Sequence, residues 1–330
     1  MLRKIEKSYI LKLALDSLET TGLPQREANI VLAHLVDSEL SGNSSHGFFR
    51  LPEIVNSLRE SGAAIAPIVV ENQTPVSGLV NGAGHLGLCV AEFATNVAME
   101  IARSCGLSIV GAKNYIGTTG SMGYYNRLVT NNGLIGLILC NSSPAVSPWG
   151  GKKAILGTNP ISIGVPSSEE PIIADLATAV ASYGDLAIAM ADGLRIPEGV
   201  VINEYGFPSR DPKDAGTGAQ LPIAAHKGYS LGLMIEILAG PLVGAKAGRD
   251  TVQGSDGFLA LVIDPKIFTN KDQFLSQIDS LRNEIKHSPL APGFDEILLP
   301  GENSNRNRKA RKNAEYLQIH DFVIRKMEAL

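Results

Sequence analysis

The sequence predicts a mixed α/β fold in which the two chain ends build one helical lobe. Three observations predict it. Apolar residues in the first sixty positions recur with a 3.6-residue period, short β-branched runs alternate with helical stretches from Pro67 onward, and the pattern returns to helix after Pro300. With 330 residues, 44% hydrophobic and 19% charged, the chain can bury a sizeable core and divide into lobes. The expected division is a helical lobe from 1–66 plus 295–330, an α/β lobe from 67–118 plus 245–294, and a third lobe from 119–244.

Ile10, Leu11, Ala14, Leu15 and Leu18 mark the first helix, and Pro24 opens a second that carries Ile30, Val31 and Leu35. Ser44 or Ser45 can cap a third, running over 47–59. Candidate strands follow at 68–70, 76–80, 108–111, 134–139, 161–165 and 259–263. Helices fit near 88–105, 120–130, 177–191, 228–242 and 271–286. Glycine and proline punctuate the middle heavily, as in Pro148-Trp149-Gly150-Gly151.

Composition removes whole classes of partner. A net charge of −4 gives no electrostatic reason to expect nucleic acid or an anionic membrane. No apolar stretch approaches the roughly 20 residues that span a bilayer, and Met1 to Lys7 opens no secretory signal. Cys89, Cys105 and Cys140 are odd in number and widely spaced, without zinc-type spacing. They read as core thiols of a cytoplasmic protein. The expected partner is a small molecule.

Gly82-Ala83-Gly84-His85-Leu86-Gly87 fits the dinucleotide fingerprint G-x-G-x-x-G between a strand and a helix. That fingerprint also needs an acid at the end of the next strand, to hold ribose hydroxyls. Here the strand ends Val110-Gly111-Ala112-Lys113, so the Rossmann reading is rejected.

Four polar clusters remain. In Ser44-Ser45-His46-Gly47-Phe48-Phe49-Arg50, a helix would put His46 and Arg50 on one face, joining a proton carrier to a carboxylate fork. The plainer alternative is a capped surface helix. In Asp175-Leu176-Ala177-Thr178 the acid stands at a strand end, where it binds a ligand or simply caps the next helix. In His226-Lys227-Gly228 a cation opens an apolar helix, against the helix dipole, so an anion is expected beside it. Glu236 lies within that helix and is expected in a structural salt bridge. The basic run from Arg306 to Lys312 is a solvated face, or brings one arginine to a phosphate.

Together with Asn141-Ser142-Ser143-Pro144, Leu156-Gly157-Thr158-Asn159-Pro160, Ile196-Pro197-Glu198-Gly199 and Pro300-Gly301-Glu302, these pieces resemble the malate/L-lactate dehydrogenase family along the whole chain. That family also includes ureidoglycolate, sulfolactate and diketogulonate enzymes and the piperideine- and pyrroline-2-carboxylate reductases. The resemblance implies a non-Rossmann fold, usually a homodimer, that binds NAD or NADP and acts on a small carboxylic acid. It implies that Ser142, Thr158, Asp175, Leu176, Ala177, His226, Lys227, Gly301 and Glu302 line the nucleotide. Ser45, His46 and Arg50 would sit by the substrate, with Arg50 gripping its carboxylate.

Two departures from the family pattern matter. Thr118 stands where the family usually carries a catalytic histidine, and a hydroxyl of very high pKa is no general acid near pH 7. The segment between Gly244 and Gly257 is short, and Ala224-Ala225 replace glycines before His226. The expected function is interconversion of a 2-oxo and a 2-hydroxy acid. The alternatives are reduction of a cyclic 2-imino acid, which already carries its proton, and nucleotide binding without turnover.

Overall fold

The structure is a computed structural model and describes residues 1–252 and 254–330. The helices Lys7–Glu19, Gln25–Ser41, Leu51–Ser61 and Asp321–Glu328 enclose a core of Ile10, Leu18, Val31, Phe48, Ile54 and Ile324. The 3.6-residue stripe of the first helices points into this core, which is what makes short helices stable.

The chain ends meet differently from the all-helical expectation. Leu2–Glu6 pairs antiparallel with Tyr316–His320, from Leu2 opposite His320 to Glu6 opposite Tyr316. Ile5, Leu317 and Ile319 face the helical core while their neighbours face outward. The helix Glu302–Lys312 then packs along Gln25–Ser41, where Asp37 bridges Arg127 and Arg308.

A single seven-stranded sheet draws strands from both of the other expected lobes. Its order is Val69–Glu71, Ser77–Asn81, Leu107–Lys113, Phe258–Ile263, Ile135–Cys140, Ile161–Val165 and Ile172–Leu176. Only the second and third strands run parallel, joined by the helix Gly87–Cys105. All other neighbours are antiparallel. A dinucleotide fold of the Rossmann type needs a mostly parallel sheet with helices crossing over between strands, so this topology excludes it.

Gly87–Cys105 and Met122–Asn131 cover one face of the sheet, burying Val90, Ala94, Tyr125 and Phe258. His226–Ala239 covers the other through Ile235 and Ala239. A small sheet of Val201–Ile202, Pro208–Ser209 and Ala219–Gln220 packs near the helix Tyr183–Ala191. That helix begins six residues later than 177 because 177–182 is drawn into loop bonds, Thr178 N–H to Thr158 and Val180 N–H to Leu221. Among the three free thiols Cys89 and Cys140 are buried, whereas Cys105 is exposed at a helix end. Among the described residues no helix is long and apolar enough to cross a membrane, and no cluster of side chains suits a metal ion.

Candidate active site

A cleft of about 340 Å³ opens between the helical lobe and the far edge of the sheet. Ser45, His46 and Arg50 form one wall, and Thr158, Asp175, Leu176 and Ala177 face them. The first wall is not the α-helix its spacing suggested. Ser44–His46 and Phe48–Arg50 are two short 3-10 turns broken at Gly47, and neither serine caps them through its side chain. The turns nonetheless bring His46 and Arg50 into the same cleft.

The wall is held by its own hydrogen bonds. Arg50 donates from Nε to the Ser45 carbonyl (3.0 Å) and from Nη1 to Glu53 (2.9 Å). The imidazole Nδ1 of His46 lies 3.2 Å from Asn43 Oδ1, which also accepts from the Ser45 hydroxyl at 3.0 Å. A carbonyl acceptor there selects the tautomer with its proton on Nδ1. Burial, helped by the Arg50 charge, pushes His46 down to about 3, so its ring is neutral at ordinary pH.

Asp175 does not cap the helix that follows it. Ser182 does, accepting from Asp185 N–H at 3.1 Å. Asp175 instead closes the N-terminus of Met122–Asn131, accepting from Gly123 N–H at 2.8 Å and from the Ser121 hydroxyl at 3.0 Å. The residue opens onto the cleft, yet its carboxyl is hemmed in by the helix end. The lost hydration raises its pKa, against the pull of those two donors and Arg127. Gly123 has no room for a Cβ, which would sit 2.8 Å from Asp175 Oδ2.

Glu236 corrects another expectation. It is buried, and its partners are amides rather than a cation: Asn159 Nδ2 at 2.6 Å, Asn141 Nδ2 at 3.1 Å and Gly248 N–H at 2.9 Å. Three donors satisfy a buried carboxylate without an ion pair. Through them the motifs around Asn141 and Asn159 are tied to one helix. Ser142 lies outside the cleft lining and receives the Thr158 N–H at 3.2 Å. Ser142 thus braces the loop that presents Thr158.

The remaining predicted residues sit elsewhere. Thr118 is not in the cleft lining, and its hydroxyl accepts from Gly120 N–H at 2.9 Å. His226 and Lys227 are exposed at the start of their helix, and Lys227 has no ion pair among the described residues. Ala224 and Ala225, which lead into it, both have positive φ (49° and 58°). Gly301 caps Glu302–Lys312 and packs on Ile173, while Glu302 lines a second cavity of about 240 Å³. There Glu302 takes Lys286 at 2.9 Å and Arg306 at 2.6 Å. Arg308 pairs with Asp37, Lys309 with Glu170, and Arg311 reaches the Glu39 carbonyl, so much of the basic run is engaged by the protein itself.

The glycine-rich turn at 82–87 is bonded within the protein. The N–H groups of Gly82, Gly84, His85 and Gly87 donate to carbonyls of Lys113, Asn114, Gly82 and Ile116. The Ala83 N–H donates to Asn81. These donors are not free for a phosphate. The glycines at 82 and 87 are explained by packing, since a Cβ would meet the carbonyls of Asn114 and Thr118 at 2.8 and 2.7 Å.

Residue patterns missed several members of the cleft: Asn43, Ser121, Ser182, Tyr183 and Asp185. Asn43 adjoins the serine-histidine cluster, and Ser182 stands three residues before an acid, a capping signal that also dates the helix start. Ser121 carries no sequence signal of its own.

Comparison with known proteins agrees with this architecture. A profile of the malate/L-lactate dehydrogenase family matches residues 5–328. L-sulfolactate dehydrogenase of Methanothermobacter thermautotrophicus is 36% identical, covering 98% of this chain and 95% of the relative. The NAD(+)-dependent ureidoglycolate dehydrogenase of Escherichia coli is 29% identical, covering 97% of this chain and 93% of its own. The crystallised sulfolactate dehydrogenase of Methanocaldococcus jannaschii superposes with a TM-score of 0.89 at 33% identity, over 100% of this chain and 96% of the other. The chain belongs to the malate/L-lactate dehydrogenase family and is a nicotinamide-dependent dehydrogenase.

Proposed function

We propose that the protein interconverts a small 2-oxo acid and its 2-hydroxy acid, of the malate, lactate or sulfolactate type, with NAD or NADP. The observation that carries this reading is the pairing, across one cleft, of the Ser45-His46-Arg50 turns with the Thr158 loop and the Asp175-Ala177 strand end. Arg50 is the substrate's carboxylate clamp. Two of its nitrogens are already held, so its planar fork meets the acid with little left to order.

The protein's own groups suit a nicotinamide nucleotide. Lys227, which has no ion-pair partner among the described residues and stands at a helix start, and His226 beside it fit a pyrophosphate. Thr158 and the Asp175-Leu176-Ala177 strand end fit the nicotinamide side, with Ser142 fixing the Thr158 loop. The strand Ile172–Leu176 links this cleft to the second cavity beside Gly301 and Glu302, where an adenosine end fits. A nicotinamide held there would supply the hydride acceptor or donor for the substrate's C2.

His46 holds the proton. With Nδ1–H directed at Asn43, its Nε2 lone pair accepts the hydroxyl proton when the 2-hydroxy acid is oxidised. A carboxylate on Arg50 offsets the positive charge that helps depress His46, raising its basicity when substrate is present. Ser45, bonded to Asn43, keeps that tautomer in place.

A second reading rests on Thr118. Its hydroxyl stands outside the cleft lining and is far too weak an acid to protonate a ketone, and His46 is neutral, so a ready proton donor is missing. A cyclic 2-imino acid needs none, because the iminium already carries its proton. Nucleotide binding without turnover is the third outcome. The homodimer of this reading uses the apolar surface of His226–Ala239, where Leu231, Met234, Ile237 and Leu238 stay exposed. A monomer by sedimentation at micromolar concentration contradicts that assembly. Cofactor oxidation against pyruvate, oxaloacetate, sulfopyruvate and piperideine-2-carboxylate separates the functions, with nucleotide calorimetry alongside.

A further inference from the structure

We infer that Glu39 is a positioning residue for substrate binding, holding the double turn that carries Ser45, His46 and Arg50. Glu39 lies in the last turn of the helix Gln25–Ser41 and is 2% exposed. It does not line the cleft. Its Oε1 accepts from the Ser44 hydroxyl at 2.8 Å and its Oε2 from the Phe48 N–H at 3.3 Å. The two bonds reach one residue of each 3-10 turn, on either side of the break at Gly47.

Gly47 supplies the independent observation. A Cβ there would lie 2.2 Å from Glu39 Oε2, so the carboxylate occupies the space a side chain would need. The glycine in the serine-histidine-glycine motif is therefore a seat for Glu39. Its φ of −86° asks for no special conformational freedom.

A buried carboxylate bonded to two neutral donors, with the Arg311 charge nearby but not bonded to it, is a costly way to stabilise a fold. The same group is an effective way to fix a short irregular segment, because both turns are too brief to hold themselves. Arg311 reinforces the site from outside, donating to the Glu39 backbone carbonyl at 2.9 Å. Glu39 thus sets the angle at which Arg50 and His46 enter the cleft, without touching substrate.

The inference rests on Arg50 being the carboxylate clamp. In steady-state assays with the best oxo acid found by screening, Glu39→Ala raises KM for the acid at least tenfold and leaves the nucleotide Kd within twofold. Glu39→Gln, of the same shape, recovers most of the loss. Lower thermal stability with an unchanged KM overturns the inference, as does equal weakening of acid and nucleotide. If Glu39→Ala does not fold, Gly47→Ala decides: a raised KM with normal nucleotide affinity supports the role, and a normal KM overturns it. Arg50→Lys separates the two levels. If it leaves KM unchanged, the reading of the site fails; if it raises KM while Glu39→Ala does not, only the role of Glu39 fails.

Discussion

Asn159 donates its side-chain amide to Glu236 across 2.6 Å, between residues 77 apart in sequence. Asn141 donates to the other carboxylate oxygen at 3.1 Å. One buried acid thereby gathers the loop carrying Thr158 and Asn159, the loop carrying Ser142 and the helix that begins at His226. The Thr158 side of the cleft depends on that junction.

Glu236→Ala removes one acceptor from each of the Asn141 and Asn159 amides, which keep the carbonyls of Lys246 and Gly232, and removes the acceptor of the Gly248 N–H. The expected loss is about 3 kcal/mol of stability, the cost of leaving buried donors unpaired. Urea unfolding and a nucleotide titration read the two consequences together. Full stability with normal nucleotide affinity contradicts the role given to this junction.

Ala225 has φ 58° and ψ −127°, a region glycine enters freely and alanine does not. Ala225→Gly relieves that strain but adds freedom to the unfolded chain, for a net gain of about 1 kcal/mol. A lower urea midpoint for the variant shows that the helix start carries no such strain.

Burial raises the Asp256 carboxyl to about 6, although Tyr115 Oη and Gly254 N–H both donate to it. Its ordinary value is 3.8, so between about pH 4 and 6 the folded chain binds the extra proton. The Asp256 contribution to stability falls as pH rises through that window and is constant above it, a cost on the order of 2–3 kcal/mol. Asp256→Asn therefore stabilises the protein at pH 7 relative to pH 4.5. Parallel unfolding curves for the two proteins at both pH values sink the assignment.

Thr118→His and His46→Asn discriminate the substrate classes. With an oxo acid, a histidine at 118 restores the family's usual donor and raises turnover, while His46→Asn lowers it about 10²-fold or more. With a cyclic imino acid the first change helps little and the second costs less. Rates for both variants with both substrate types provide the check, and identical responses to the two acids would remove the argument from protonation.

Much of this was legible in residue patterns, for a physical reason. The strand Ile161–Val165 and the helix Lys271–Lys286 fall where the sequence places them, because periodicity reports which face is buried or wet. The helical pattern after Pro300 hides the strand Tyr316–His320, although Leu317 and Ile319 alternate with polar neighbours, because five residues are too few to outweigh it. Ser45, His46 and Arg50 share one cleft, but on two 3-10 turns broken at Gly47 rather than on the α-helix their spacing predicts. Glu236 gave away its need for a partner but not the partner. Asparagines 77 and 95 residues distant leave no local trace.

The central claim is tested most directly by following nicotinamide absorbance as the protein meets a panel of 2-oxo acids, with Arg50→Lys assayed beside it. The account predicts steady cofactor oxidation with at least one of them, and a KM at least tenfold higher in Arg50→Lys with nucleotide affinity unchanged, because an ammonium cannot grip a carboxylate with two parallel bonds. Tight nucleotide binding with no turnover of any oxo acid, or an Arg50→Lys variant that binds the acid as well as the parent does, would contradict it.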